Sequence, residues 1–95
     1  MASYKLSDDA EADIIRIHQW GVRTHGVAKA DEYFAAFFEC FETLVRQPGL
    51  YPGLEHVRHG YRKCLCGVDT IYYRIVGDNI EIMNILGGQD RDEWL

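Results

Sequence analysis

Serine is nearly missing from this chain: Ser3 and Ser7 stand alone, both at the N-terminal edge, so a nucleophilic Ser-His-Asp triad finds no support. Thr70 sits in a strand-like run with no convincing base beside it. No Gly-rich loop precedes a helix pattern; Gly87-Gly88 follows the last strand-like segment and reads as a strand-ending turn, so a phosphate cradle is excluded. Three cysteines, Cys40, Cys64 and Cys66, make no even-numbered disulfide framework. Apolar runs stay far short of the roughly 18 residues of a membrane span, and no charged-then-apolar leader opens the chain. The expectation is therefore a cytoplasmic protein with reduced thiols and no membrane. Basic residues are in deficit, 10 against 15 acidic, and a net charge of −5 disfavours a dedicated or sequence-specific nucleic-acid binder.

What is present suits a small single domain spanning residues 1–95. A chain of this size buries roughly 60–65% of its unfolded surface, enough for one modest core without metal or disulfide support. Apolar residues make up 47% and charged residues 26%, the balance of an ordinary globular domain. Charge is unevenly spread. Residues 56–63, His-Val-Arg-His-Gly-Tyr-Arg-Lys, form a basic island in an acidic protein.

Tyr4-Lys5-Leu6 reads as a short strand, and Ser7 or Asp8 as the cap of a helix from about Asp8 to Arg23. Ala10, Ile14, Ile17 and Gly21 fall at helical spacing, and Asp8, Asp9, Glu11 and Asp13 suit the positive end of its dipole. His25-Gly26 breaks this helix. A second one runs from near Val27 to Arg46 with a wide stripe of Phe34, Phe37, Phe38, Phe41 and Leu44, and Gln47-Pro48 ends it. So short a joint predicts an antiparallel helical hairpin. Residues 47–60 are the one long irregular stretch.

The last third predicts three antiparallel strands. Gly77-Asp78 fits a two-residue hairpin loop, which pairs Ile75 with Ile80, Tyr73 with Ile82 and Ile71 with Asn84 on one face. The other face then pairs Arg74 with Glu81, Tyr72 with Met83 and Thr70 with Ile85. If Gly67-Val68 also turns tightly, Cys64 and Cys66 join the Ile71/Tyr73 face. The fold class is thus α+β, ordered β-α-α-β-β-β, with a helical hairpin on one face of a small, mainly antiparallel sheet. Tyr61, Lys63, Leu65, Tyr72, Arg74, Met83 and Ile85 share the opposite face, which is too apolar to meet only water.

The metal-like spacings read better as packing or solvated loop. Cys64-x-Cys66 has no second pair, His56-x-x-His59 no third ligand, and His18 and His25 lie two helical turns apart. A Cys64–Cys66 disulfide is disfavoured, since residues two apart in a strand sit about 6.6 Å apart with parallel side chains. No metal, cofactor or catalytic residue is expected. Arg58, Arg62, Lys63 and Arg74 remain as candidate contacts to carboxylates or phosphates, with Arg74 equally suited to pairing Glu81.

Laid in order, several short patterns resemble the ParE family of bacterial toxins within the ParE/RelE superfamily. They are Tyr4-x-Leu6-Ser7, Ala10-x-Ala12-Asp13-Ile14-x-x-Ile17, Gly26-Val27 with Ala30-x-x-Tyr33, and Phe41-x-x-Leu44 with Gln47-Pro48-Gly49. Val57-Arg58-x-Gly60-Tyr61-Arg62-Lys63, Ile71-Tyr72-Tyr73-Arg74 and Ile82-x-x-Ile85-Leu86 complete the set. The resemblance implies a toxin of a type II toxin–antitoxin module, of the kind used in plasmid stabilisation. It implies a DNA gyrase inhibitor that acts by binding, not as an enzyme, and is neutralised by a ParD-like antitoxin. The candidate antitoxin- or target-binding residues are Arg58, Tyr61, Arg62, Lys63, Tyr72, Arg74 and Met83. Asp69 and Gly87 depart from the family pattern, each standing where His is common, and the tail from Gln89 to Leu95 is unusually acidic. A RelE-like ribosome-dependent mRNA endoribonuclease is the alternative, with Arg62, Lys63 and Arg74 supplying charge and Tyr72 a proton. A non-toxic relative that only binds antitoxin is the third reading.

Overall fold

Ser7 sets where the first helix begins. Its Oγ accepts from the Ala10 N–H at 3.0 Å, capping α1 (Asp8–His25), which follows directly on β1 (Tyr4–Leu6). Helix α1 runs two residues beyond the expected Arg23, because Gly26, at φ 90°, is the first residue to leave helical geometry. The Gly26 N–H still closes the last turn on the Val22 carbonyl, and α2 (Val27–Arg46) starts at the next residue. This is a computed structural model that describes residues 2–51, 53 and 60–87. Three strands complete it: β2 (Tyr61–Cys66), β3 (Asp69–Val76) and β4 (Asn79–Leu86). Both tight turns have glycine first, Gly67 at φ 60° and Gly77 at φ 62°, the conformation a right-twisted hairpin needs there.

The sheet order is β1-β4-β3-β2, with β1 parallel to β4 and the other pairs antiparallel. The helical hairpin covers one face. Ile14 and Ile17 of α1 and Phe37, Phe41 and Leu44 of α2 are buried against Ile71, Tyr73, Ile80, Ile82 and Ile85. Cys64 and Cys66 lie in the same cluster as small apolar side chains, as their spacing predicts. Gly21 faces Ala30 where the two helices approach, and a Cβ at Gly21 would stand 3.3 Å from that of Ala30. Among the described residues no helix is long and apolar enough to cross a membrane.

The expected β3–β4 register holds for Ile75–Ile80, Arg74–Glu81 and Tyr73–Ile82, and then shifts by one. Tyr72 faces Asn84, not Met83; Ile71 faces Ile85, not Asn84; Thr70 faces Leu86, not Ile85. Met83 is the extra residue of a β-bulge. Ile85 is thereby carried from the outer face, where strict alternation puts it, into the core. The backbone of this stretch finds partners on α1 and its cap. Ser7 Oγ donates to the Met83 carbonyl at 2.7 Å, and Asp13 Oδ2 accepts the Ile85 N–H at 2.9 Å. Beyond Ile82, where β1 has ended, those side chains stand in for a neighbouring strand.

Candidate functional site

Two surfaces qualify, and the outer face of the sheet is the one expected from sequence. Its first row runs across the sheet as Lys5, Glu81, Arg74 and Tyr61. Arg74 is committed within it: its guanidinium lies 2.5 Å from Glu81 Oε1, and Lys5 Nζ reaches the other carboxylate oxygen at 3.4 Å. The hydrogen bond from Arg74 holds the Glu81 carboxyl below the usual carboxylate range. The next row places exposed Lys63 opposite Tyr72 and Asn84.

Part of this face, expected from its apolar content to be covered, is already buried within the chain. Tyr72 and Thr70 have no exposed surface, and Leu86 is 7% exposed. Tyr72 forms a second, smaller apolar cluster with Leu86, against which half-buried Tyr61 packs. The outer face therefore divides into a sealed aromatic part and an exposed strip containing Lys63, Leu65 and Arg74. Met83, at the bulge, is half-buried.

Arg62 is not with them. Strand alternation turns it to the helix side opposite Tyr73, where its guanidinium donates to the Tyr51 carbonyl. Burial raises the Tyr73 hydroxyl to about 12 despite the opposing effect of Arg62. Arg58 and the His56/His59 pair lie outside the described residues, as does the first half of the basic island, residues 56–59. Of the candidate contacts, then, Tyr61, Lys63, Tyr72 and Arg74 are brought onto one face, and Arg62 is separated from them.

The second surface is a groove of about 1110 Å³ running along the helical hairpin to the β2–β3 turn and the end of β4. That slightly exceeds the roughly 300–1,000 Å³ of most small-molecule sites and suits a peptide segment. Trp20, 54% exposed, and Val68, 83% exposed, give it apolar walls, with Lys29 and Glu32 also lining it. On the hairpin, His18 Nε2 lies 2.8 Å from Asp31 Oδ1 and meets the Phe34 ring edge-on, while His25 stacks edge-on against Trp20. The two histidines thus serve separate local contacts.

At the sheet end of the groove Tyr33 clamps α2 to the β2–β3 turn. Its hydroxyl donates to Asp69 Oδ2 at 2.7 Å, sits 2.9 Å from the Cys66 carbonyl and accepts the Val68 N–H at 3.2 Å. Burial, then the bond to Asp69, push the Tyr33 hydroxyl well above its ordinary value. Gly67 is required beneath the ring, since a Cβ there would stand 2.5 Å from Tyr33 Cε1. Asp69, only 7% exposed, is one of two buried polar or charged residues among those described, with Thr70. A Cβ on Gly87 would sit 3.4 Å from Asp69 Oδ1, so the chain's two departures from the family pattern are neighbours. Sequence reasoning missed this groove. Its traces were the Gly21–Ala30 close approach and the unusual Asp69.

The two strand thiols, Cys64 and Cys66, are poor nucleophiles. Burial pushes Cys64 up to about 11, and burial together with contact to Cys40 pushes Cys66 higher still. Among the described residues no three His, Cys, Asp or Glu side chains are disposed to hold a metal ion.

The sequence pattern described as ParE toxin of type II toxin-antitoxin system, parDE, matches residues 4–91. The chain is 34% identical over 86 residues to Toxin ParE1 of Caulobacter vibrioides, covering 90% of this chain and 88% of that one. It is 27% identical over 84 residues to Toxin ParE1 of Mycobacterium tuberculosis, covering 87% and 86%. Among solved structures, one from the chromosomal ParDE TA system of P. aeruginosa superposes with a TM-score of 0.79 at 24% identity, over 92% of this chain and 96% of that one. A conserved hypothetical protein of Helicobacter pylori shares the fold at a TM-score of 0.56 and 15% identity, over 94% and 97%.

Proposed function

The chain belongs to the ParE toxin family of type II toxin–antitoxin systems, and from that premise we propose that it acts by binding DNA gyrase and is held silent by a ParD-like antitoxin. The observation that carries binding over catalysis is the dispersal of its cationic groups. A RelE-like ribonuclease would need Arg62, Lys63, Arg74 and Tyr72 to converge on one phosphate. Instead Arg62 is on the helix side, tied to the Tyr51 carbonyl. Arg74 is on the outer face, tied to Glu81. Tyr72 has no exposed surface from which to pass a proton to a substrate.

Two surfaces suit two partners. The hairpin groove, with its exposed Trp20 and Val68, takes an apolar segment of the antitoxin. The strip of Lys63, Leu65 and Arg74, with Tyr61 and Met83 beside it, supplies a mixed apolar and cationic contact. Arg58 remains a candidate contact on charge alone, while Arg62 and Tyr72 act by shaping the surface from beneath. The fate of the protein as a cytoplasmic toxin is tested by adding it to a gyrase supercoiling reaction and to a translating mRNA extract. Loss of supercoiling with intact mRNA, reversed by a ParD-like antitoxin, is the expected result. Cleaved mRNA with unimpaired supercoiling would establish the ribonuclease reading instead.

A further inference from the structure

Among the described residues, the acidic side chain at the end of the groove has no cationic partner. Asp69 is 7% exposed, and its one hydrogen bond among the described residues is the Tyr33 O–H given to Oδ2. Ion pairs between one described residue and another join Lys5 and Arg74 to Glu81, Arg16 to Asp13, and His18 to Asp31, leaving Asp69 out. An ionised carboxylate has about four lone-pair positions, and burying one against a single neutral donor is costly. Its second oxygen, Oδ1, lies beside Gly87, where a Cβ would come into ordinary contact with it at 3.4 Å and take up part of its open side. Both residues line the groove. The site is therefore an apolar channel with a mostly desolvated carboxylate at one end and one oxygen kept clear by a glycine.

We propose that Asp69 is a specificity residue for partner choice: it takes an arginine or lysine side chain carried by the apolar antitoxin segment that lies in the groove. This rests on the antitoxin reading above and narrows it. An apolar segment alone would fill the channel but leave the carboxylate more deeply buried and still unpaired, so a segment lacking the cation is penalised. A guanidinium at Oδ1 restores a charge-assisted bond in a site already shielded from water. Asp69 thus discriminates among antitoxins whose apolar residues match equally well.

The test needs no antitoxin. N-acetyl-arginine amide and its neutral isostere N-acetyl-citrulline amide are titrated into the ¹⁵N-labelled full-length protein, and amide shifts at Tyr33, Val68, Asp69 and Gly87 are followed. Arginine should give saturable shifts at these four, with citrulline at least about tenfold weaker. Asp69→Asn, which keeps an acceptor for Tyr33, should abolish that preference. Gly87→Ala should weaken arginine binding with Asp69 intact. Equal responses to both probes, or a preference that survives Asp69→Asn, overturn the proposal. A silent wild type that responds once Arg91→Gln is introduced also overturns it, by making the chain's own tail the occupant. None of these results depends on gyrase inhibition or on antitoxin neutralisation, so failure here and failure of the toxin reading are told apart.

Discussion

The two faces of this sheet are built from the same strands yet behave as different materials. The helix-side face is apolar at its centre: Ile71, Tyr73, Ile82 and Ile85 have no exposed surface and meet Phe37, Phe41 and Leu44. The outer face is divided between a sealed cluster of Tyr72 and Leu86, with Tyr61 against it, and a charged strip of Lys5, Glu81, Arg74 and Lys63. The difference teaches that alternation alone does not assign a face its role. The bulge at Met83 moves Ile85 inward and Leu86 outward, giving the helix side its continuity and the outer side its second apolar cluster.

The contrast breaks most severely at its centre. Phe41→Ala removes a fully buried ring that also packs against Tyr4 and Phe38. It should cost about 3–5 kcal/mol, read as a lowered urea midpoint at unchanged slope. On the outer face, Tyr72→Ala should cost about 2–4 kcal/mol because that side chain is sealed. Its cross-strand neighbour Lys63→Ala should stay within about 0.5 kcal/mol. Equal small effects at both positions would mean the outer face is one open surface after all.

Deleting Met83 sharpens the comparison from another side. Strict alternation along the shortened strand carries Ile85 inward without a bulge, so the protein should still fold. The expected loss is about 1–2 kcal/mol for the Ser7–Met83 anchor. An unfolded product by circular dichroism would show that the bulge itself is indispensable.

Titration separates the faces by the sign of their pH dependence. On the helix side, Tyr73 is raised from 10 to about 12 and Cys64 from 9 to about 11. The folded state keeps these protons after the unfolded chain releases them, so their contribution is complete below pH 9 and is lost as pH climbs toward 12. On the outer face Glu81 is lowered, so its contribution is present above the ordinary carboxylate range and lost as pH falls through its folded value. Thermal melts across pH should show the alkaline loss in Arg74→Ala undiminished, while the acid-side loss shrinks. That substitution is the mildest, about 0.2–1 kcal/mol, because Arg74 is 47% exposed and its pair is screened by water.

Much of this architecture was legible in the chain. Ser7 as a cap, Gly26 as the hinge between helices, the phenylalanine stripe and the two Gly-led turns each act through local chemistry, and each landed where the pattern put it. The bulge had a trace as well: Ile80, Ile82 and Ile85 are spaced two and then three apart, the offset an inserted residue requires. Which part of the outer face is sealed within the chain was not legible, because exposure depends on what lies across a surface, and no periodicity records that.

Sequence alone determined the order of elements, the faces of both helices and the family, because backbone capping, turn geometry and apolar spacing act between residues close along the chain. Tertiary structure alone decided that Arg62 is tied to the Tyr51 carbonyl, that Tyr72 is sealed, and that Asp69 meets Tyr33 from 36 residues away beside Gly87. Those are matters of desolvation and charge between distant segments, and they take a value only once packing has fixed which groups share a space.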